Sequence, residues 1–352
     1  MRAIPAGGVD ADVHIPPPSS RALLPYLDAH WREQAVLRGL DRLDFTLSSA
    51  RPRLPVAARP ETRADPSLDA LRAQVLDPLR LRCAIAHALH GAIALHTEDM
   101  AAAFCRAVND WVAAEWLDRE TRLRASILVP MQNVELAVAE IERCATDPRF
   151  VQVLVPAMGD MPLGRRAYWP VWAAAEKHGL PLAIHGGSLF RHAPGATGWP
   201  SFHVEDLVLQ AQAFDAQLAS LVSEGVFQAC PGLKVVLLES GITWLPTFLW
   251  RMDKIWRGLR AEVPWVKEAP STIIRRQVRV SLQPVDAPDA TMLSRTLDHI
   301  AAPEMLVFSS DWPHWHDDRP GPVPDGIDDA LLRRMLIDNP AETWPRLRET
   351  VA

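Results

Sequence analysis

Tyrosine and cysteine are scarce in this chain: two and four residues respectively among 352. The cysteines, Cys83, Cys105, Cys144 and Cys230, lie far apart and form no C-x-x-C pair. That spacing argues against a disulfide framework and reads as reduced, structural thiols in a cytoplasmic protein. No stretch of about 18 apolar residues occurs, so no membrane span is expected. The opening "MRAIPAGGVDADVHI" lacks the apolar run of a signal peptide. Blocks of like charge are also missing, and the net charge is −6, which speaks against a nucleic-acid partner. No Asn-Gly or Asp-Gly turn joins neighbouring apolar runs, which argues against a hairpin-built sheet.

What the chain does contain is a regular series of short apolar runs. They are "VDADVHI" (9–15), "LRCAIAH" (81–87), "LRASILVP" (123–130), "FVQVLVP" (150–156), "LPLAIHG" (180–186), "LKVVLLES" (233–240), "VRVSLQP" (278–284) and "MLVFSS" (305–310). Between them lie helix-like stretches such as "VELAVAEIERCA" and "EDLVLQAQAFDAQLASLVSEGVF". Strands alternating with helices imply a parallel sheet, and eight such units predict a single (β/α)8 barrel spanning 1–352. Residues 31–80 are too long for an ordinary connection between a strand and its helix. They are expected to form an insertion after strand one that covers the active site or joins two copies in a homodimer. Proline, at 31 residues, is enriched between the apolar runs, as long shaped loops require.

In such a barrel the chemistry gathers at the C-terminal ends of the strands. Strand one ends with Asp12 and His14, which share a face because strand residues two apart point the same way. Strand five ends with His185, strand six with Glu239 and strand eight with Asp311, in "FSSDWPHWHDD". Each residue alone has an ordinary explanation: a turn-forming aspartate, a hydrogen-bonded core histidine, or a glutamate paired with an arginine such as Arg251. It is their joint position at strand ends that points to a metal.

The stretches "DADVH", "DPRFVQVLVP", "AAEKHGLPLAIHGG", "CPGLKVVLLESGITWLPTFLWRMD" and "MLVFSSDWPHW" span nearly the whole chain. They resemble the amidohydrolase-2 branch of the amidohydrolase superfamily. That branch includes aminocarboxymuconate-semialdehyde decarboxylase, other aromatic-acid decarboxylases and lactone hydrolases. The resemblance implies a TIM-like barrel and one divalent metal ion, with His14, His185 and Asp311 at family ligand positions. Two positions depart from the commonest pattern. Asp12 stands where the first strand-one ligand is often histidine, and Glu239 replaces the strand-six histidine that often moves protons.

The expected metal ligands are therefore Asp12, His14, His185 and Asp311. A site of mixed nitrogen and oxygen donors suits Zn²⁺ by default, with Mn²⁺ or Fe²⁺ as alternatives. A metal lowers the pKa of bound water to about 7, and a carboxylate-rich surround suits Asp311 and Glu239 to activating that water. Like-charge repulsion would disfavour a carboxylate substrate. Hydrolysis of an amide, lactone or related bond in a small molecule is thus the first expectation. Nonoxidative decarboxylation of an aromatic or enol acid is the second, and a metal-free binding barrel the third. A decarboxylase needs a proton donor, for which His203, His314 and His316 are candidates. Arg165 and Arg166 are candidates for binding a substrate carboxylate. Among the tryptophans Trp169, Trp199, Trp244, Trp312 and Trp315, Trp199 and Trp312 are the favoured walls of an aromatic pocket.

Overall fold

The computed structural model describes residues 4–40, 43, 66–187, 192–314 and 323–348, apart from the side chain of His203. Eight parallel strands follow one another round a barrel in chain order. They are β1 (Val9–His14), β2 (Cys83–His87), β3 (Leu123–Leu128), β4 (Phe150–Pro156), β5 (Leu182–His185), β6 (Val235–Leu238), β7 (Val278–Ser281) and β8 (Leu306–Val307). Each coincides with one of the eight apolar runs. Almost every strand residue is buried, because helices cover the outside and side chains fill the inside. Strands buried on both faces read as near-continuous apolar runs rather than alternating ones.

The ring closes between β1 and β8, beyond the short formal extent of the last strand. Ala11 N donates to Phe308 O (2.9 Å), Asp311 N to Asp12 O (3.1 Å) and His14 N to Trp312 O (2.7 Å). The irregular tail of β8 is therefore laced to β1 along its length.

Local chemistry sets the helices. Asn133 caps the helix Val134–Cys144 by accepting from Leu136 N, and Asp289 caps Ala290–Ile300 by accepting from Met292 N. The longest helix, His203–Glu224, begins where Glu205 Oε2 reaches back to Phe202 N (3.1 Å) and stops at Gly225, whose φ is +88°. A Cβ there would lie 2.6 Å from Trp265 Cδ1, so only glycine permits the packing.

The expected insertion is partly helical. Helices Ala29–Leu37 and Leu68–Leu71 fall in or at the edge of 31–80, and residues 41–42 and 44–65 lie outside the described set. All four cysteines are buried and free. Among the described residues no helix is long and apolar enough to cross a membrane.

Candidate metal centre and active site

Six ionisable side chains from five strand ends converge at the C-terminal mouth. His14 is the hub. Its Nε2 lies 2.8 Å from Asp311 Oδ1, 3.2 Å from Glu239 Oε1 and 3.3 Å from Asp12 Oδ1. Asp12 Oδ1 also approaches His87 Nε2 at 3.3 Å and His185 Nε2 at 3.5 Å. His185 Nδ1 lies 3.7 Å from Glu239 Oε2. A seventh group, His314, lies three residues beyond Asp311 and reaches both carboxylates, at 3.2 Å from Glu239 Oε1 and 3.3 Å from Asp311 Oδ1.

The backbone is unusual at two of these residues. Glu239 and Asp311 both have φ of +55°, in the left-handed region that non-glycine residues rarely adopt. Each sits where a strand breaks into its loop. Hydrogen bonds hold both turns: Glu239 N donates to Ser281 Oγ (3.1 Å), and His314 N donates to Asp311 O (2.7 Å). Strained backbone of this kind persists where surrounding structure over-determines it, and it clusters at functional sites. Gly186 leaves room for Glu239, since a Cβ there would come within 3.2 Å of the glutamate and 2.8 Å of Gln210 Oε1.

The donor set fits a divalent ion. Both carboxylate oxygens of Asp12, Nε2 of His14 and Nε2 of His185 are buried and make no hydrogen bond. Their close approaches are ion-pair contacts without hydrogen-bond alignment. Asp12, His14 and His185 each present a ligand atom within 4.8 Å of the others, as do His14, Glu239, Asp311 and His314. Orphaned buried polar atoms are costly in a native fold, and a cation between them removes the cost. His185 is pre-set for the task. Its Nδ1 lies 2.9 Å from Gly186 O, so the ring proton sits there and leaves the Nε2 lone pair facing Asp12.

Charges in the cluster are tightly coupled. Burial alone would raise the Asp12 carboxyl, but His14 and His185 hold it well below the ordinary range. Burial would also raise Glu239, and His185, His14 and His314 outweigh it. Burial opposes charging of His14, yet Asp12, Asp311 and Glu239 raise it well above an ordinary imidazole. His314 is raised to about 9: burial and His14 oppose its charge, and Asp311 and Glu239 overcome them. His87 moves the other way, to about 4, chiefly through burial.

Two members of the site were not recognised from sequence. His87 closes the β2 run and was not among the residues expected at the site. Asp10 was read only as part of a strand, yet its buried Oδ1 accepts from Asp12 N (3.1 Å) and from Ser310 N (3.0 Å), 300 residues away. The available signal was a histidine closing an apolar run for His87 and, for Asp10, a carboxylate set inside one.

Other candidates lie elsewhere. Arg165 extends towards Glu224 (3.6 Å) on the outer helix, and Arg166 stacks on Trp169 and Trp265. Those contacts occupy both guanidinium groups on the flank, so the structure does not bring them to the cluster. Arg251, suggested as a partner for Glu239, lies exposed on the helix Leu245–Leu259, and Glu239 pairs with histidines instead. Trp312 is buried beside the site, with Nε1 donating to Gln74 Oε1 (2.7 Å), whereas Trp199 is half exposed in the loop after β5. His203 opens the long helix, but its side chain lies outside the described set, as do Trp315 and His316.

Residues 9–346 match the amidohydrolase family Amidohydro_2. The chain belongs to this family. Curated relatives include the gamma-resorcylate decarboxylases of Polaromonas sp. (strain JS666), 26% identical over 59% of this chain, and of Rhodococcus jostii (strain RHA1), 27% identical over 70%. The chain spans 65% of the length of the first and 80% of the second. Among solved structures, an amidohydrolase from Mycobacterium avium subsp. paratuberculosis K-10 superposes with a TM-score of 0.73 at 21% identity, covering 97% of this chain and all of the other. Dihydroxybenzoic acid decarboxylase from Polaromonas sp. JS666, solved with bound manganese and 2-nitroresorcinol, gives 0.63 at 18% identity, covering 98% of this chain and 97% of the other.

Asp12 and Glu239, the two residues expected to depart from the family's commonest pattern, both lie in the cluster. The carboxylate of Asp12 is central to it. Glu239 meets His314 at 3.2 Å.

Proposed function

We propose that the protein is a metal-dependent, nonoxidative decarboxylase of a small aromatic carboxylate. The observation that carries this is His314: its Nδ1 is held between Glu239 and Asp311 while half of the side chain remains exposed at the mouth. A decarboxylase needs a proton donor above the ligand cluster, and this imidazole has the position for one. The gamma-resorcylate decarboxylases among the relatives favour the same reaction over the hydrolysis first expected from the sequence.

The objection from like charges weakens in the folded protein. Repulsion of a substrate carboxylate was expected from Asp12, Glu239 and Asp311, but each is in contact with histidine. A divalent ion held by Asp12, His14, His185 and Asp311 would supply the remaining positive charge for the substrate's carboxylate and a neighbouring oxygen. The mixed donor set accepts Mn²⁺, Zn²⁺ or Fe²⁺; manganese in the Polaromonas structure favours Mn²⁺.

The protein's own residues then have these roles. Glu239 and Asp311 orient the His314 ring through Nδ1. The bond between ring carbon and carboxylate breaks, CO₂ leaves, and the electron pair stays on carbon. His314 donates a proton to that carbon and recovers one from solvent across its exposed side.

The test is to incubate manganese-loaded protein in D₂O with 2,6-dihydroxybenzoate, 5-carboxyvanillate and a panel of lactones and amides. We expect CO₂ from an aromatic carboxylate, with one deuterium on the vacated carbon. Turnover of a lactone or amide with ¹⁸O from labelled water in the product, and no CO₂ from any carboxylate, would overturn the proposal.

A further inference from the structure

A thread of buried hydrogen bonds crosses the barrel interior below the site. Trp344 Nε1 lies 2.8 Å from Gln152 Oε1 on β4. Gln152 Nε2 lies 2.9 Å from Ser126 Oγ on β3. Ser126 Oγ lies 2.8 Å from His87 Nδ1 at the end of β2. His87 Nε2 lies 3.0 Å from Ala11 O and 3.3 Å from Asp12 Oδ1 on β1. All five side chains are buried. Nothing in the reaction proposed above uses the first three.

The direction of this thread is fixed at its far end. An indole N–H can only donate. Gln152 must therefore present its carbonyl oxygen to Trp344 and its amide nitrogen to Ser126. Ser126 Oγ accepts from that amide, so its own hydrogen is left for His87. His87 Nδ1 thus accepts, and the ring proton sits on Nε2. This agrees with the acceptor found there, since Ala11 O cannot donate. Asp12 Oδ1 lies close to the same nitrogen, at 3.3 Å, but the hydrogen bond goes to Ala11 O. A histidine with its proton on that nitrogen has no lone pair to offer a metal, although it lies beside the ligands.

We propose that His87 is a positioning residue, not a ligand: the Trp344–Gln152–Ser126 thread keeps its proton on Nε2, and that N–H, donated to Ala11 O, pins the β1 backbone next to Asp12 so that the carboxylate keeps the orientation that binds the metal ion. The geometry resembles a relay of orientation rather than of protons. Reversing the thread at Gln152 reverses the tautomer of His87 and turns a lone pair towards Ala11 O, where two acceptors repel and the backbone beside Asp12 loses its anchor. The inference rests on the metal site read above, but the two can fail separately.

The experiment uses the full chain with ring-¹⁵N-labelled histidine and a manganese titration followed by the EPR signal of free Mn²⁺. In the wild type we expect His87 to show the Nε2–H tautomer across neutral pH. Gln152→Glu changes volume little, still accepts from Trp344, and forces Ser126 to donate towards position 152. We expect it to move the His87 proton to Nδ1 and to raise the manganese Kd at least tenfold, the usual cost of losing a partner behind a metal ligand. Should that variant fail to fold, Ser126→Ala leaves Ala11 O as the single group holding the proton on Nε2, and is expected to let the ring exchange between tautomers and to raise the Kd. Ser126→Thr, which keeps the hydroxyl, should keep both tautomer and Kd. A wild-type Nδ1–H tautomer, or a switched tautomer with unchanged Kd, overturns the inference while leaving the metal site standing. No manganese binding by the wild type overturns both.

Discussion

His314 Nδ1 stands 3.2 Å from Glu239 and 3.3 Å from Asp311, so one imidazole bridges the two strand-end carboxylates whose backbones turn left-handed. Glu239 is the member of this pair that sequence alone assigned several roles. With His314 as its partner, Glu239→Gln should lower kcat at least tenfold, about 1.4 kcal/mol of transition-state stabilisation, with metal content unchanged. Steady-state kinetics beside elemental analysis checks it. Full turnover with full metal would leave Glu239 a structural part only.

His185→Ala and Asp311→Asn should each reduce bound metal from about one ion per chain to a small fraction, because each removes a donor whose neighbours cannot be replaced from solvent. Elemental analysis of folded, gel-filtered protein gives the answer. Wild-type occupancy in both variants would mean a different ligand set.

Asp10 should make the metal-free protein pH-sensitive. Burial raises its carboxyl from 3.8 to about 7. The folded state then binds the proton more tightly than the unfolded chain. The stabilisation is complete below about pH 4 and is lost as pH rises through about 7. Asp10→Asn keeps the oxygen that accepts from Asp12 and Ser310 and removes the titration. In chelator-treated protein the variant should gain stability relative to wild type between pH 5 and 8, by up to about 4 kcal/mol. Thermal melts at several pH values test this; a difference independent of pH would refute it.

The insertion at 31–80 reaches the mouth through Gln74, which accepts from the indole of Trp312. We propose that this segment covers the pocket or joins two copies. Removing residues 44–65 should change either the mass in solution or KM, read by light scattering and kinetics. Gln74→Leu should cost about 1 kcal/mol in stability by stranding the indole N–H. Native mass together with native kinetics in the shortened chain would end the proposal.

The barrel was legible because parallel strands buried on both faces leave apolar runs, and all eight runs became strands. Asp12, His14, His185, Glu239 and Asp311 were legible for a related reason: an ionisable residue at the end of such a run cannot be there for burial. His87 satisfies the same criterion and was overlooked, since "CAIAHALHGAIALH" offers several histidines and no spacing separates them. The contacts of the arginines, with Glu224 and with Trp169 and Trp265, were not legible for another reason. Arg165 and Arg166 follow β4 closely, but the loop turns outward, and a flexible side chain goes where its loop leads. The direction of the thread from Trp344 to His87 could not be read at all, because it depends on which atoms meet across three strands.

The seam between the first and last strands has a consequence for when the site can exist. Asp12 and His14 lie near one end of the chain and Asp311 near the other, and they meet only where Asp311 N bonds Asp12 O and His14 N bonds Trp312 O. On the ribosome the β1 pair emerges before β2 to β7 have been made, and its counterpart on β8 follows only after them. Loops this long close late, because their entropy must be overcome before any contact rewards it. The complete binding site is therefore a product of finished folding, and a chain interrupted before β8 cannot hold the ion with its full set of donors.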